Sequence, residues 1–232
     1  MALTDNPQEM ADEEAGGPPR REPMLNLPPM VTALLIVNVA VHGLRALLPP
    51  DTDDWLVGEL AFAPGRFTLP GAFDWPALFS PVTYQFIHGG IAHLVINMTF
   101  VMAVGTAVER RIGPWRTLAF SLICGVAAAA AHMAVYPYDM AVVVGFSGAA
   151  SGLFAGALRI MTGRHGLRTN RRLIVVSLVW VGVNAAVGVT GMTFGSDAPV
   201  AWVAHLGGYA AGLVLLPLFE PRRRWATGPE ES

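Results

Sequence analysis

The sequence predicts an all-α membrane protein, a bundle of six transmembrane helices with both termini on the cytoplasmic side. Three observations carry that prediction. Apolar residues make up 53% of the 232-residue chain and charged residues only 14%, against about 25% charged in a soluble domain. The apolar residues gather into six long blocks, and a helix that crosses a bilayer needs about 20 of them in a row. The arginines fall between the blocks on alternate sides, and cytoplasmic loops are the ones that retain positive charge.

The blocks follow in order. The first runs from Met30 to Leu48, behind Pro28 and Pro29. The second covers Tyr84 to Val108, the third Trp115 to Val135, and the fourth Ser147 to Thr162. The fifth covers Leu173 to Val189 and the sixth Val200 to Phe219. Arg20 and Arg21 precede the first block. Arg110, Arg111 and Arg116 separate the second and third, and Arg164, Arg168, Arg171 and Arg172 separate the fourth and fifth. Arg222, Arg223 and Arg224 follow the sixth. The remaining connections hold Arg66 alone, with Arg45 near the end of the first block. Every loop therefore agrees on one orientation.

The chain divides into an acidic, proline-rich cytoplasmic tail (residues 1–27), expected to be disordered, a helical domain (28–220) and a second cytoplasmic tail (221–232). The first tail has neither the basic start and apolar core of a secretory signal nor the arginine-rich character of a mitochondrial presequence. A bacterial cytoplasmic membrane is the expected location. All fifteen basic residues are arginine, the net charge is -2, and no basic surface for nucleic acid is visible. Cys124 is the single cysteine, and no Cys/His cluster has zinc-ligand spacing, so neither a metal nor another cofactor is expected. The first loop, Pro49 to Ser80, carries Trp55, Phe62, Phe67, Phe73 and Trp75. Aromatics favour the membrane interface, so this loop is expected to lie in the outer leaflet. An exposed loop with its own small apolar cluster is the other reading.

Polar groups inside a membrane span are costly and need a reason. In the second block these are His88, His93 and Asn97; in the fourth, Ser147 and Ser151; in the sixth, His205. These three blocks all run inward from the outer face, so their polar groups fall at similar depth. Taken singly, a serine in such a helix usually bonds a carbonyl one turn back, and a lone histidine is usually a packing residue. His42 and His132 are left in that class. For Ser147, His205, His93 and Asn97 together, packing alone would require several coincidences at one depth.

Ser147 lies in Gly145-Phe146-Ser147-Gly148. Glycine permits a sharp turn and a close backbone approach, and a serine that opens a helix has free N–H groups beside it that can hold an oxyanion. The fourth block spans roughly 24 Å at 1.5 Å per residue, against a hydrocarbon core of about 30 Å. Its start should lie below the surface, with Pro137 to Val144 dipping in to meet it. Irregular backbone at that depth is tolerated around a wet cavity. Gly148, Gly152 and Gly156 on the fourth block face the same problem as Ala204, Gly208 and Gly212 on the sixth: small residues four apart let helices touch backbone to backbone. If those stripes meet, Ser147 and His205 come within hydrogen-bond reach. No acid lies near this depth in either block, so a two-residue device is expected, with serine as nucleophile and histidine as base. His93 and Asn97 share a helix face and can donate to an oxyanion beside the Ser147 backbone.

These residues resemble the rhomboid family of intramembrane proteases. The likeness rests on Phe86-Ile87-His88 through His93-Leu94-Val95-Ile96-Asn97, on Gly145-Phe146-Ser147-Gly148, and on Ala204-His205-Leu206-Gly207-Gly208 with Gly212. Gly105, Glu109, Arg111 and Gly113 resemble the family's motif at the inner end of the second span, and Glu109 with Arg111 reads as a structural pair. The resemblance implies the basic six-helix form, Ser147 and His205 as catalytic residues, and His93 and Asn97 as oxyanion support. It implies transmembrane proteins as substrates, in a lipid bilayer, and leaves the oligomeric state open. Two features depart from some members: Pro81-Val82-Thr83 stands where they have a Trp-Arg pair, and Ser151 where they have a tyrosine beneath the histidine. The second leaves open what supports the His205 ring. An inactive client-binding relative would lack Ser147 or His205, and a transporter would show repeats and buried charge near the midplane. Substrate is expected to enter past the fifth span and the loop after it, where Met192 and Phe194 could form a lid beside Gly191 and Gly195, the other reading being an ordinary short turn with two interfacial anchors.

Overall fold

The computed structural model describes residues 26–163, 170–191 and 200–221, and it is all-α. The longer helices are α1 (Pro29–Arg45), α2 (Pro50–Leu60), α3 (Ile91–Ile112), α4 (Pro114–Val135), α5 (Ser147–Thr162), α6 (Arg171–Thr190) and α7 (Trp202–Phe219). By length and composition α3, α4, α6 and α7 can each cross a membrane, with mean hydropathies of 1.8, 2.0, 2.1 and 1.5. Helix α1 is a shorter apolar helix. Large apolar side chains stand exposed on the outside, among them Ile36, Ile123, Leu178, Val183, Val214 and Leu218. Such a surface suits lipid and not water. The chain is a multi-pass membrane protein.

Helix α5 forms the centre. It is buried along Gly148–Leu153 and Ala155–Leu158, and it packs against α3, α4 and α7. The small-residue stripes make this possible. A Cβ on Gly208 would overlap the Gly148 carbonyl, and one on Gly212 would overlap the Gly152 carbonyl. The α5 and α7 backbones therefore touch, and the other side of α5 takes Cys124 and Phe120 from α4. Helix α1 packs on α3 at one flank. Helix α6 leans on the opposite flank and buries only Leu173 and Asn184.

The helix ends follow from local chemistry. Gly113, at φ 86°, ends α3 and admits Pro114 as the first residue of α4, which makes a very short connection. Helix α1 also starts on a proline, and its free N–H groups at Met30 and Val31 donate to the buried Glu109 carboxylate at 2.9 and 2.7 Å. Arg111 pairs instead with Glu220, at 2.9 Å. The expected Glu109–Arg111 pair is thus replaced by two separate ties, because residues two apart on a helix point to different sides. Within α7, Pro217 cannot donate to the Leu213 carbonyl. The Arg159 guanidinium from α5 donates to that carbonyl in its place.

The first loop has more structure than its sequence predicts. It contains α2, and Arg45 at the end of α1 clasps Asp53 at 2.7 Å. Buried Arg66 donates to the carbonyls of Gly58 and Glu59 and to Asp74. The Asp74 carboxyl is held below its ordinary value by the Ala77 N–H and then by Arg66. Phe62 and Tyr84 form a cluster with Ala129 and Val143, joined by Phe67, while Trp55 and Trp75 stand exposed at the rim. The apolar cluster is not the loop's own, since Phe62 and Phe67 share it with Ala129 of α4 and with Val143. Phe62 also bridges to Val143 in the segment before α5.

Candidate active site

The connection from α4 to α5 turns at Gly145, whose φ of 114° is open only to glycine without strain. Its N–H donates to the Tyr84 carbonyl at 3.0 Å. A side chain there would also strike the His93 ring. This turn delivers Ser147 as the first residue of α5, and no side chain caps that helix start. The backbone N–H groups around Ser147 therefore face the cavity end of α5 without a side-chain acceptor.

Helix α7 brings His205 across from the other side. Its Nε2 lies 2.8 Å from the Ser147 Oγ. The close α5–α7 contact at Gly148 and Gly208 is what permits this distance. The other ring nitrogen, Nδ1, lies 2.8 Å from Oδ1 of Asn184 on α6. Asn184 was not singled out from the sequence. Its signal was a lone amide in a valine-rich block, with nothing to show which helix it faced.

His93, Asn97, Ser147 and His205 line one cavity of about 420 Å³. His132 and Tyr136, at the end of α4, line it as well, and their rings stand 5.1 Å apart. His132 thus belongs to the cavity wall, although its sequence context showed no partner. Asn97 donates one amide hydrogen to the His93 carbonyl at 3.0 Å, which leaves its second hydrogen for another acceptor. The His88 ring packs edge-on against His93 at 5.2 Å. Ser151 donates to the Ser147 carbonyl at 2.8 Å, the ordinary behaviour of a serine inside a helix. Met192 and Phe194 lie outside the described residues.

The arrangement joins a hydroxyl to a nitrogen base, places amide donors beside them, and opens the group to a cavity. That set can carry out nucleophilic acyl transfer.

Comparison with known proteins shows the family. Residues 76–222 match the family model described as the Rhomboid domain. RHOMBOID-like protein 4 of Arabidopsis thaliana is 32% identical over 144 residues, covering 61% of this chain and 34% of that protein. Rhomboid protease GluP of Bacillus subtilis (strain 168) is 33% identical over 131 residues, covering 55% of this chain and 25% of that protein. Rhomboid-like protein 11, chloroplastic, of Arabidopsis thaliana is 32% identical over 149 residues, covering 62% and 53%. The aligned region spans from a quarter to about half of the length of these relatives.

Proposed function

The chain belongs to the rhomboid family, and from that premise we propose that it is an intramembrane serine endopeptidase that cuts transmembrane proteins with Ser147 and His205. The observation that carries the reading is the 2.8 Å contact between Ser147 Oγ and His205 Nε2 at the wall of the cavity.

The chemistry runs in two halves. His205 Nε2 takes the Ser147 proton as Oγ bonds to the scissile carbonyl carbon. The carbonyl oxygen gains negative charge, and the Ser147 backbone N–H with the side chains of His93 and Asn97 donate to it. The C–N bond breaks, and the leaving amine takes the proton from His205. Water then attacks the Ser147 ester, His205 accepts its proton, and the acid product departs as that proton returns to Oγ. The second half needs water inside the membrane, which a cavity of about 420 Å³ can hold.

In this reading α1 and α3 to α7 are the six spans, and both termini face the cytoplasm, by the arginine distribution. The unit spans 28–220, with cytoplasmic tails at 1–27 and 221–232, in a bacterial cytoplasmic membrane. Substrate helices enter past α6 and the residues that follow it in sequence, Met192 and Phe194 among them. A scissile bond must leave helical form before its carbonyl can be attacked. Preferred substrates therefore carry small or helix-weakening residues near the outer end of their span.

The test is cleavage of a panel of single-span proteins in detergent, alongside labelling with a fluorophosphonate. The wild type should cleave at least one panel member and label on Ser147, and Ser147→Ala should do neither. Undiminished cleavage by Ser147→Ala would overturn the mechanism.

A further inference from the structure

We propose that Asn184 is a positioning residue for His205: its Oδ1 accepts the Nδ1–H and holds the imidazole in the tautomer whose Nε2 lone pair faces Ser147. The inference rests on the activity proposed above and adds a third member to the site.

The hydrogen-bond network determines the direction of the contact. Asn184 donates through Nδ2 to the Trp180 carbonyl at 2.9 Å. That bond needs the amide nitrogen on the Trp180 side, so the amide oxygen is the atom turned to the histidine. An amide oxygen only accepts, and Nδ1, at 2.8 Å, must therefore carry the proton. A neutral imidazole has one N–H. With the proton on Nδ1, Nε2 is bare and accepts from the Ser147 hydroxyl at 2.8 Å. The opposite tautomer would donate to Oγ and could not take its proton.

A structural asparagine looks different in this same molecule. Asn38 on α1 also bonds a carbonyl one turn back, that of Leu34, but its Oδ1 is left without a partner. Both amides satisfy their donor within their own helix. Only Asn184 turns its acceptor onto a titratable group of another helix. The location is also costly. Helix α6 has the highest mean hydropathy of the candidate spans, 2.1, and buries only Leu173 and Asn184. A polar group buried in such a helix calls for a role. A neutral amide sets the tautomer without the desolvation cost of a buried carboxylate. Nor does the residue one turn beyond the nucleophile do this work, since Ser151 is spent on the Ser147 carbonyl.

The contact has a consequence for the assembly of the site. Ser147, His205 and Asn184 come from α5, α7 and α6. The orientation of the base therefore depends on where α6 lies, although α6 is the least buried of the four candidate spans.

The experiment uses the full chain in detergent, with Asn184→Leu, Asn184→Ala and Asn184→Asp. Leucine has the same number and branching of heavy atoms as asparagine and suits a membrane helix, which guards against a folding defect. Aspartate keeps the acceptor at the same place. A general base contributes about 10²–10⁴-fold, so losing only its orienter should lower kcat on the order of 10–100-fold, with KM within about twofold. Asn184→Asp should stay within about threefold of wild type. Independently of activity, ¹⁵N spectra of histidine-labelled protein should show wild-type His205 with a protonated Nδ1 and a bare Nε2. The resonance is assigned by its loss in His205→Gln. In Asn184→Leu that pattern should be lost. A wild-type His205 protonated on Nε2 overturns the proposal. So does an Asn184→Leu enzyme with undiminished kcat, a loss carried by KM, or an aspartate variant as poor as the leucine one. A wild type that neither cleaves nor labels refutes the protease reading, while the ring spectrum still decides the role of Asn184.

Discussion

At the scale of single residues, the proposed mechanism has Ser147 and His205 become reactive by being held together, 2.8 Å apart. If they act as one unit, the losses are not additive. Ser147→Ala and His205→Ala should each abolish measurable cleavage, and the double variant should be no slower than either. A further drop in the double variant would mean that each works alone. In the proposed mechanism His93 and Asn97 serve a different part of the same step. Removing one oxyanion donor from a protease costs about 10²–10³ in kcat, and the loss here should be smaller for each single alanine because the backbone shares the task. The combined His93→Ala, Asn97→Ala enzyme should fall in kcat with KM little changed. Unaltered turnover would remove both from that role. These four residues were legible in the sequence because polar atoms stand out in apolar blocks and their depths agreed. Asn184 was not legible for a physical reason. A third member announces itself in sequence as a carboxylate at the same depth, whereas the group at Nδ1 is a neutral amide on another helix. Its partner lies 21 residues away, in a pairing that no periodicity encodes. His132 was missed similarly, since nothing local to α4 marks which of its faces borders a cavity.

The elements show where sequence reading works and where it stops. The bounds read for α5, Ser147 to Thr162, coincide with the helix in the structure, since glycines flank both ends. The second block was read as starting at Tyr84, but α3 begins at Ile91, after short helical turns and the Gly89-Gly90 break. Hydropathy continues across that break while the backbone does not. In the first loop, α2 forms from a polar stretch that no apolar period announces, and it is tied down by Arg45 and Asp53. The Arg159 guanidinium satisfies the Leu213 carbonyl that Pro217 leaves unpaired, and this leads to a coupled prediction. An unsatisfied buried acceptor costs about 1–3 kcal/mol, so Arg159→Met should destabilise the protein by roughly that amount. Pro217→Ala restores an N–H for Leu213, and in that background Arg159→Met should cost under about 0.5 kcal/mol. Unfolding titrations of the four proteins would measure the cycle, and equal losses in both backgrounds would exclude the tie.

Over the whole molecule, the central question is how a helix from the bilayer reaches a cavity wrapped in helices. The packing is uneven. Helix α5 is enclosed on several sides, whereas α6 buries two residues along its whole length. The half of α6 that begins at Arg171 is anchored. Trp180 stacks on Phe100 with ring centroids 5.8 Å apart, and Ser177 meets the Tyr209 hydroxyl at 2.7 Å. Beyond Asn184 the packing thins. Gly188 rests against the Trp202 indole, and the helix ends at Gly191 with φ 65°. Ile96 of α3 and Gly188 of α6 both line the cavity, so the side of the bundle between these helices borders the site. Movement of the Thr190 end of α6, pivoting beyond Trp180, would open that side to lipid. It would also withdraw Asn184 from His205, so the base would be fully oriented only after α6 returned. Entry and catalysis then become successive steps, with closure gating the chemistry. The prediction uses cysteines at Ile96 and Val187 in a Cys124→Ala background, joined by a flexible thiol-reactive linker. If α6 must swing out, the linked enzyme should cleave a transmembrane substrate about tenfold more slowly or worse, as expected for a blocked gating step. Its labelling by a small fluorophosphonate should be unchanged, because that probe reaches Ser147 through the cavity. A linked enzyme that cleaves membrane substrates at full rate would place the entrance on another side of the bundle.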